Sequence, residues 1–363
     1  MGTIKDTLPR AYHALLPVFF DLSIPDESHA TCADCAMIEH TIDGPGSFNE
    51  ATKCCTFFPV LPNYLVGGIL NDEREVMAEG RKRIRAAIKE QRGVYPHGIY
   101  PPRIDRYLYE IGRHKGFGQS ASLRCPYYND RAGGCSIWEY RNAICSTWYC
   151  RYQAGFLGER FWQGVKEYLE DLEANLYRYA MSRLGIDSGV IIGEPYLKID
   201  PGRGKPTFFP DAGDLDRTPP SREASEQLWG KWDGDQEGFY RRCHAEIGAA
   251  AGPALARDLM GFEENYRIDD LRQRLDRMLS SDVPLRLRRG DRVAVHYVDD
   301  GDCVLAVATC RYRTDRSLAR ALEYFDGYRP VADVIAELKE REQIELDSDL
   351  VRELYLQQYL VEA

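Results

Sequence analysis

The sequence predicts an α+β chain that is mostly helical. Three observations carry this: apolar residues at three- and four-residue steps over 159–184, a crowd of cysteines in the N-terminal part, and an alternating stretch found only near the C-terminus. Together they divide the chain into a cysteine-rich metal- or cluster-binding domain over 1–185, a linker and helical region over 186–283, and a strand-and-helix module over 284–363.

The chain has 363 residues, enough to bury a core without disulfides. Hydrophobic residues make up 44% and charged residues 29%, a balance that suits a water-facing globular protein. A net charge of −10 argues against a general nucleic-acid binder, which needs a basic face for phosphates. The apolar run 14–20 is short and broken by Pro17, so it does not read as a signal peptide, and no stretch approaches the roughly 20 apolar residues that span a bilayer. The expectation is a cytoplasmic protein with no membrane partner, in a reducing compartment where clustered thiols point to metal or redox chemistry.

Residues 1–31 read as a lead-in with little regular structure, anchored by Leu15, Leu16, Phe19 and Phe20. Pro59, Pro62, Gly67 and Gly68 suggest an extended segment wrapping a site. Asn71 is placed to cap a helix running to about Gln91, and a second helix is expected over 104–113. The clearest helix covers 159–184, with Phe161, Val165, Tyr168, Leu169, Leu172, Leu176 and Tyr179 on one face and Gly185 as its stop. Residues 186–222 read as linker and 223–281 as mostly helix. Leu285–Tyr297 and Cys303–Tyr312 alternate as two strands, followed by helices over 316–325, 330–341 and 347–360.

Eight of the 11 cysteines lie between residues 32 and 150. Their spacing is C-x2-C, then CC, then C-x9-C-x9-C-x4-C, with the intervals 36–53 and 56–124 between the three groups. Thiolates are soft ligands that suit zinc and iron–sulfur clusters. Cys32, Cys35, Cys54, Cys55, Cys125, Cys135, Cys145 and Cys150 are therefore the candidate metal and cofactor ligands, in preference to disulfides, a thiol redox relay or core packing. The adjacent pair Cys54–Cys55 serves two ligation sites or one ligand and one auxiliary thiol, because neighbouring side chains diverge. Spacing leaves open one centre or two, and no ferredoxin spacing is present. Cys243, Cys303 and Cys310 read as core. His29 and His40 flank the C-x2-C and are secondary ligand candidates. Arg141 reads first as a brace on backbone carbonyls and second as a neutraliser of thiolate charge. Trp138, Trp148, Tyr127, Tyr128 and Tyr149 are expected to form a dry wall.

Cys32-Ala-Asp-Cys35, Cys54-Cys55-Thr-Phe-Phe-Pro-Val and Cys135-Ser-Ile-Trp-Glu-Tyr-Arg141-Asn-Ala-Ile-Cys145 together resemble the YkgJ-type cysteine-cluster family over about residues 30–155. That family is described as a zinc- or iron-chelating domain, and some relatives are treated as iron–sulfur proteins. Flagellin lysine methylases carry a related cysteine-rich pattern. The C-x2-C and the CC are usually close in that family, whereas here the whole interval 36–53 separates them. Asn142 stands where the family has proline, and Ser146 where it often has arginine.

Within 284–363, Asp302-Cys-Val-Leu-Ala, Leu318-x-x-Ala-Leu-x-x-Phe-Asp-Gly327 and Val331-Ala-Asp-Val-Ile-Ala-Glu-Leu338 resemble the PqqD-like winged-helix fold. The resemblance implies a module that takes up a leader peptide along a strand edge. With 12 Lys and Arg against 16 Asp and Glu over 284–363, the module is acidic, which disfavours DNA as its partner.

Two functions follow as expectations. One is a metal-cluster protein, holding iron–sulfur of 4Fe-4S type, that acts in redox chemistry or modifies a peptide or protein docked by the winged-helix-like module. The alternative is a non-enzymatic zinc-binding structural or sensor protein.

Overall fold

The computed structural model describes residues 2–24, 35–38, 48–150, 152–187, 210–298, 301–307 and 310–363. The described residues are mostly helical with several small antiparallel sheets, an α+β arrangement. They form two compact units. Of the described residues, one unit comprises those up to 150 together with those of 165–269; the other comprises those of 152–164 and 270–363.

In the first unit, Leu15, Leu16, Phe19 and Phe20 are buried, as the sequence suggests, between short helical turns at Arg10–His13 and Val18–Asp21. Strand β1 (Leu61–Pro62) leads into helix α1 (Asn63–Asn71). The extended segment expected here is a correction: 63–70 is a helix buried on all sides. Its glycines are contact points, not chain breaks. A Cβ on Gly67 would stand 1.9 Å from the Tyr240 carbonyl oxygen, and one on Gly68 2.4 Å from the Tyr140 ring. Asn63, buried at the first turn, donates its amide to the carbonyls of Pro96 (2.9 Å) and Tyr177 (3.1 Å), so its polar group does not cost the core.

The helix expected from Asn71 begins later, as α2 (Ala78–Lys89). Asp72 holds the intervening turn by accepting from the Arg74 backbone N–H (3.1 Å) and guanidinium. Strands β2 (Val94–Tyr95) and β3 (Gly98–Ile99) complete a small sheet in the order β1-β3-β2, and α3 (Arg103–Gly116) follows. The hairpin of β4 (Tyr128–Asn129) and β5 (Gly134–Cys135) carries Cys135, and the short helix α4 (Ala143–Ser146) carries Cys145.

Helix α5 (Gly155–Arg183) is the long helix read from the sequence, and Gly185 ends it at φ +77°. Phe161, Val165, Tyr168, Leu169, Leu172 and Leu176 are fully buried along it. Helix α6 (Gln236–Ala250) packs its Phe239, Tyr240 and Cys243 inward, and the Tyr240 hydroxyl donates to the Tyr95 carbonyl at 2.7 Å. Helix α7 (Phe262–Leu279) closes the helical middle. No helix among the described residues is long and apolar enough to cross a membrane.

The second unit contains β6 (Leu287–Arg289), the antiparallel meander β7 (Ala294–Tyr297), β8 (Asp302–Val307) and β9 (Cys310–Asp315), helices α8 (Arg316–Leu322), α9 (Val331–Glu337) and α10 (Ser348–Leu356), and β10 (Leu360–Glu362). Each of the two predicted strands is in fact split. Gly290 interrupts the first, so β6 pairs with β10 and β7 pairs with β8. Residues 308–309, outside the described set, separate β8 from β9. Alternation along β8 sends Cys303, Leu305 and Val307 into a core with Leu322, Phe325, Val334, Leu338, Val351 and Leu354. The last predicted helix stops at Leu356. Gln358, at φ +62°, turns the chain so that Leu360–Glu362 can pair with β6.

The close approach at α1 yields a paired prediction. Gly67→Ala forces the added methyl into the Tyr240 backbone and should destabilise the protein by about 1–3 kcal/mol, the usual cost of overpacking. Gly248→Ala in α6, where a Cβ meets nothing within 4 Å, should be neutral or stabilise by about 0.4–1 kcal/mol. Urea denaturation of both variants checks the contrast, and equal effects would contradict it.

Candidate functional site

The two halves of the cysteine pattern are joined by backbone chemistry. The Cys125 N–H donates to the Cys55 carbonyl at 2.8 Å. Thr52 donates its hydroxyl to the Gly118 carbonyl (3.0 Å), and Thr56 accepts from the Gly118 N–H (2.7 Å). Lys53, held at φ +51° and largely buried, donates its ammonium to the Gly133 carbonyl at 2.7 Å. The Cys54–Cys55 turn is thereby fastened both to the segment before Cys125 and to the tip of the hairpin that ends at Cys135.

The remainder of the stretch is braced the same way. Cys135 stands opposite Tyr128 in the hairpin, and Ser136 donates its N–H (2.9 Å) and hydroxyl (2.7 Å) to the Tyr127 carbonyl. Arg141 lies over the Trp138 ring at 3.5 Å and donates to the carbonyls of Trp138 (3.1 Å) and Cys145 (3.0 Å). It is a backbone brace with one face shielded by an indole. Asn142 accepts from the Cys145 N–H at 3.1 Å and so caps α4. Proline, which the resembled family has there, lacks that side-chain acceptor. Ser146 returns its hydroxyl to the Asn142 carbonyl at 2.7 Å.

Electrostatics sorts the sulfurs into groups. Burial pushes the Cys125 thiol well up, and the neighbouring Cys135 and Cys145 push it further. Burial also raises Cys145, followed by Cys135 and Cys54, while the Arg141 guanidinium pulls the other way. Cys135 and Cys145 thus bear on Cys125, and Cys135 and Cys54 bear on Cys145. Cys35 belongs elsewhere: its largest influence is a hydrogen bond to the Cys150 side chain, which holds the proton on Cys35. Cys55 contributes its carbonyl to the join. Cys32, His29 and His40 lie outside the described residues. Cys35, Cys54, Cys55, Cys125, Cys135, Cys145 and Cys150 are all outside disulfides and half-buried. Among the described residues, no three His, Cys, Asp or Glu side chains are grouped to hold one metal ion.

Cys243 and Cys303 are core residues, and the Cys310 side chain lies outside the described set. The expected dry wall is only half correct. Tyr127, Tyr128 and Tyr149 are buried, whereas Trp138 is 39% and Trp148 45% exposed. Each tryptophan is covered on one side, Trp138 by Arg141 and Trp148 edge-on by Phe117. The Tyr127 hydroxyl is buried without a hydrogen-bond partner among the described residues, within electrostatic reach of Cys125 and Cys135.

Sequence reading missed Glu173. This residue of α5 reaches under α4, where it accepts from the Ala143 N–H at 2.7 Å and meets the Tyr12 hydroxyl at 2.5 Å. The available signal was positional: Glu173 stands one turn from both Leu169 and Leu176 on a face that is otherwise apolar. A carboxyl group on such a face is either paired or neutral. Burial pushes its pKa from 4.5 up to about 8.

That shift has a sign. The folded chain keeps the Glu173 proton up to about pH 8, whereas the unfolded chain releases it near 4.5. The associated stability is fully present below pH 4.5 and is lost as pH rises through 8. Glu173→Gln keeps an acceptor for Ala143 and never ionises. Its melting temperature should exceed that of the unmodified protein at pH 8 and above, with the gap closing toward acid. Parallel pH dependences in thermal melts would contradict the assignment.

Comparison with protein-family models, with curated proteins and with solved structures finds no match to this chain.

Proposed function

We propose that this protein is a metal-cluster protein whose iron–sulfur centre takes its ligands from the clustered cysteines, and that binding draws together Cys54, Cys125, Cys135 and Cys145, which are not grouped as a metal site beforehand. The observation that carries the reading is the backbone join from the Cys125 N–H to the Cys55 carbonyl, which brings two remote cysteine segments together, with Cys135 and Cys145 bearing on Cys125 and Cys54 on Cys145. Four cysteine thiols outside disulfides are the donor set that such clusters take. The unpartnered Tyr127 hydroxyl adds a buried donor of the kind that cluster and thiolate sulfurs accept. When bound, the centre supplies one-electron transfer.

The chain's own residues do the rest. Tyr127, Tyr128 and Tyr149 exclude water, Arg141 and Asn142 fix the backbone around Cys145, and the Lys53 ammonium places positive charge beside the cysteine turn. Bringing four thiolates together in a half-buried site is unfavourable while they are charged and bare. A bound cation or cluster removes that penalty, which couples ligand binding to folding of the turn and hairpin.

The redox reading extends to modification of a docked peptide or protein. Its support is the resemblance of 284–363 to peptide-binding winged-helix modules, together with β7, an edge strand of the β7-β8-β9 sheet on which Tyr297 is 65% exposed. The zinc-binding structural or sensor protein stays as the alternative, because zinc takes the same four thiolates.

Anaerobic purification tests the choice. Iron and acid-labile sulfide in matching amounts, with broad brown visible absorption bleached by dithionite, are expected. Colourless protein carrying stoichiometric zinc would select the alternative, and protein that takes up neither metal would sink both.

A further inference from the structure

We propose that the cavity between the start of α5 and the end of α7 binds the phosphate group of a small, soluble phosphomonoester. Its lining is Leu157 and Arg160 from α5 and Asp270, Gln273, Arg274 and Arg277 from α7, all within the second unit. The α7 residues recur at three- and four-residue steps, so they share one face of that helix, and Leu157 and Arg160 share a face of α5. Two helical faces thus deliver three guanidinium groups and one carboxylate to a space of about 310 Å³. Small-molecule sites run from roughly 300 to 1,000 Å³, so this one suits a small ligand.

The arginines divide by task. Arg274 is the frame. Its Nη1 donates to the Arg160 carbonyl at 2.8 Å, and its Nε pairs with Asp270 at 2.8 Å. It can lie against α5 because Gly164 has no side chain: a Cβ there would stand 3.1 Å from the Arg274 Cδ. The Asp270 carboxylate is thereby committed to Arg274. Arg160 and Arg277 are exposed, and neither is ion-paired among the described residues. Arg160 lies 5.8 Å over the Phe156 ring, which is itself edge-on to Tyr355 of α10. Burial keeps the Tyr355 hydroxyl protonated, and both of these guanidinium groups act on it.

Two like charges directed at one space repel, and an anion that bridges them removes the penalty. A phosphomonoester is close to dianionic at neutral pH, and its oxygens match the planar fork of arginine. The Gln273 amide adds a neutral donor, and Leu157 offers an apolar wall to the ester carbon. Glu159 lines the adjoining cavity together with Arg160, so a carboxylate borders the positive patch. That border favours a single phosphate group over a nucleic-acid backbone.

This inference is independent of the metal reading, since no cysteine takes part. The test is isothermal titration of the full-length protein with glycerol 3-phosphate. One saturable site is expected, displaced by inorganic phosphate and weakened by added salt. Arg160→Gln and Arg277→Gln should each weaken binding roughly tenfold or more, the usual effect of losing a charge-assisted hydrogen bond. Both positions are exposed, so both variants should keep the melting temperature of the unmodified protein, which separates lost binding from lost fold. Arg160→Lys, which keeps the charge and loses the fork, should fall between. Arg222→Gln, at an exposed position of the first unit, should leave the affinity unchanged. No saturable heat, unchanged affinity in both glutamine variants, or binding only to phosphatidylcholine vesicles containing phosphatidic acid would overturn the proposal.

Discussion

Everything in the cysteine-rich unit depends on one junction, the hydrogen bond from the Cys125 N–H to the Cys55 carbonyl. Two segments that are remote in sequence meet there, and their side chains can share a site only if that backbone contact is held. Thr52 and Thr56 hold it from one side through Gly118, and Lys53 holds it from the other through Gly133. Loop closure between remote segments costs entropy. The intervening residues offset that cost with α1, whose buried glycines let it lie directly against the backbone of α6. The packed helices thus serve as the frame on which the two cysteine segments are brought into register.

The same frame explains the placement of charge. Cys125 and Cys145 are buried and bear the charge of neighbouring thiols, so they resist ionisation unless something positive offsets it. The fixed positive groups nearby are already committed: Arg141 to two carbonyls and an indole face, Lys53 to the Gly133 carbonyl. Beneath α4 the protein places a carboxyl group, and burial keeps that group neutral up to about pH 8. A neutral Glu173 ties α5 to α4 through hydrogen bonds without adding a further negative charge under the thiols. This is why the long helix interrupts its apolar stripe at that point.

How far the sequence can be read follows from which forces leave a local trace. The long helix is legible because Phe161, Val165, Leu169, Leu172 and Leu176 repeat with the helical period and Gly185 stops it. The core role of Cys303 is legible for the same reason, with period two along β8. Helix α1 is not, because Gly67 and Gly68 look like chain breakers until Tyr240 and Tyr140 are known to stand against them. The splitting of the C-terminal strands is also hidden, since the pairing of β6 with the final residues is a contact across the whole module. At the site, the roster of cysteines can be read directly but its partition cannot. Spacing cannot show that the Cys125 N–H meets the Cys55 carbonyl, or that Cys150 bears on Cys35 while Cys54 bears on Cys145. Asn142 shows the reverse case: it departs from the resembled pattern, yet its capping bond to Cys145 follows from ordinary helix-start chemistry.

The central claim is that Cys54, Cys125, Cys135 and Cys145, from two remote segments, close on one metal centre. The most direct measurement is the metal content of serine variants purified side by side under anaerobic conditions. Cys54→Ser, Cys125→Ser, Cys135→Ser and Cys145→Ser should each lose most of the bound metal, while Cys243→Ser, at a buried position of α6, should keep it. Full retention of metal in Cys54→Ser and Cys145→Ser would contradict the account.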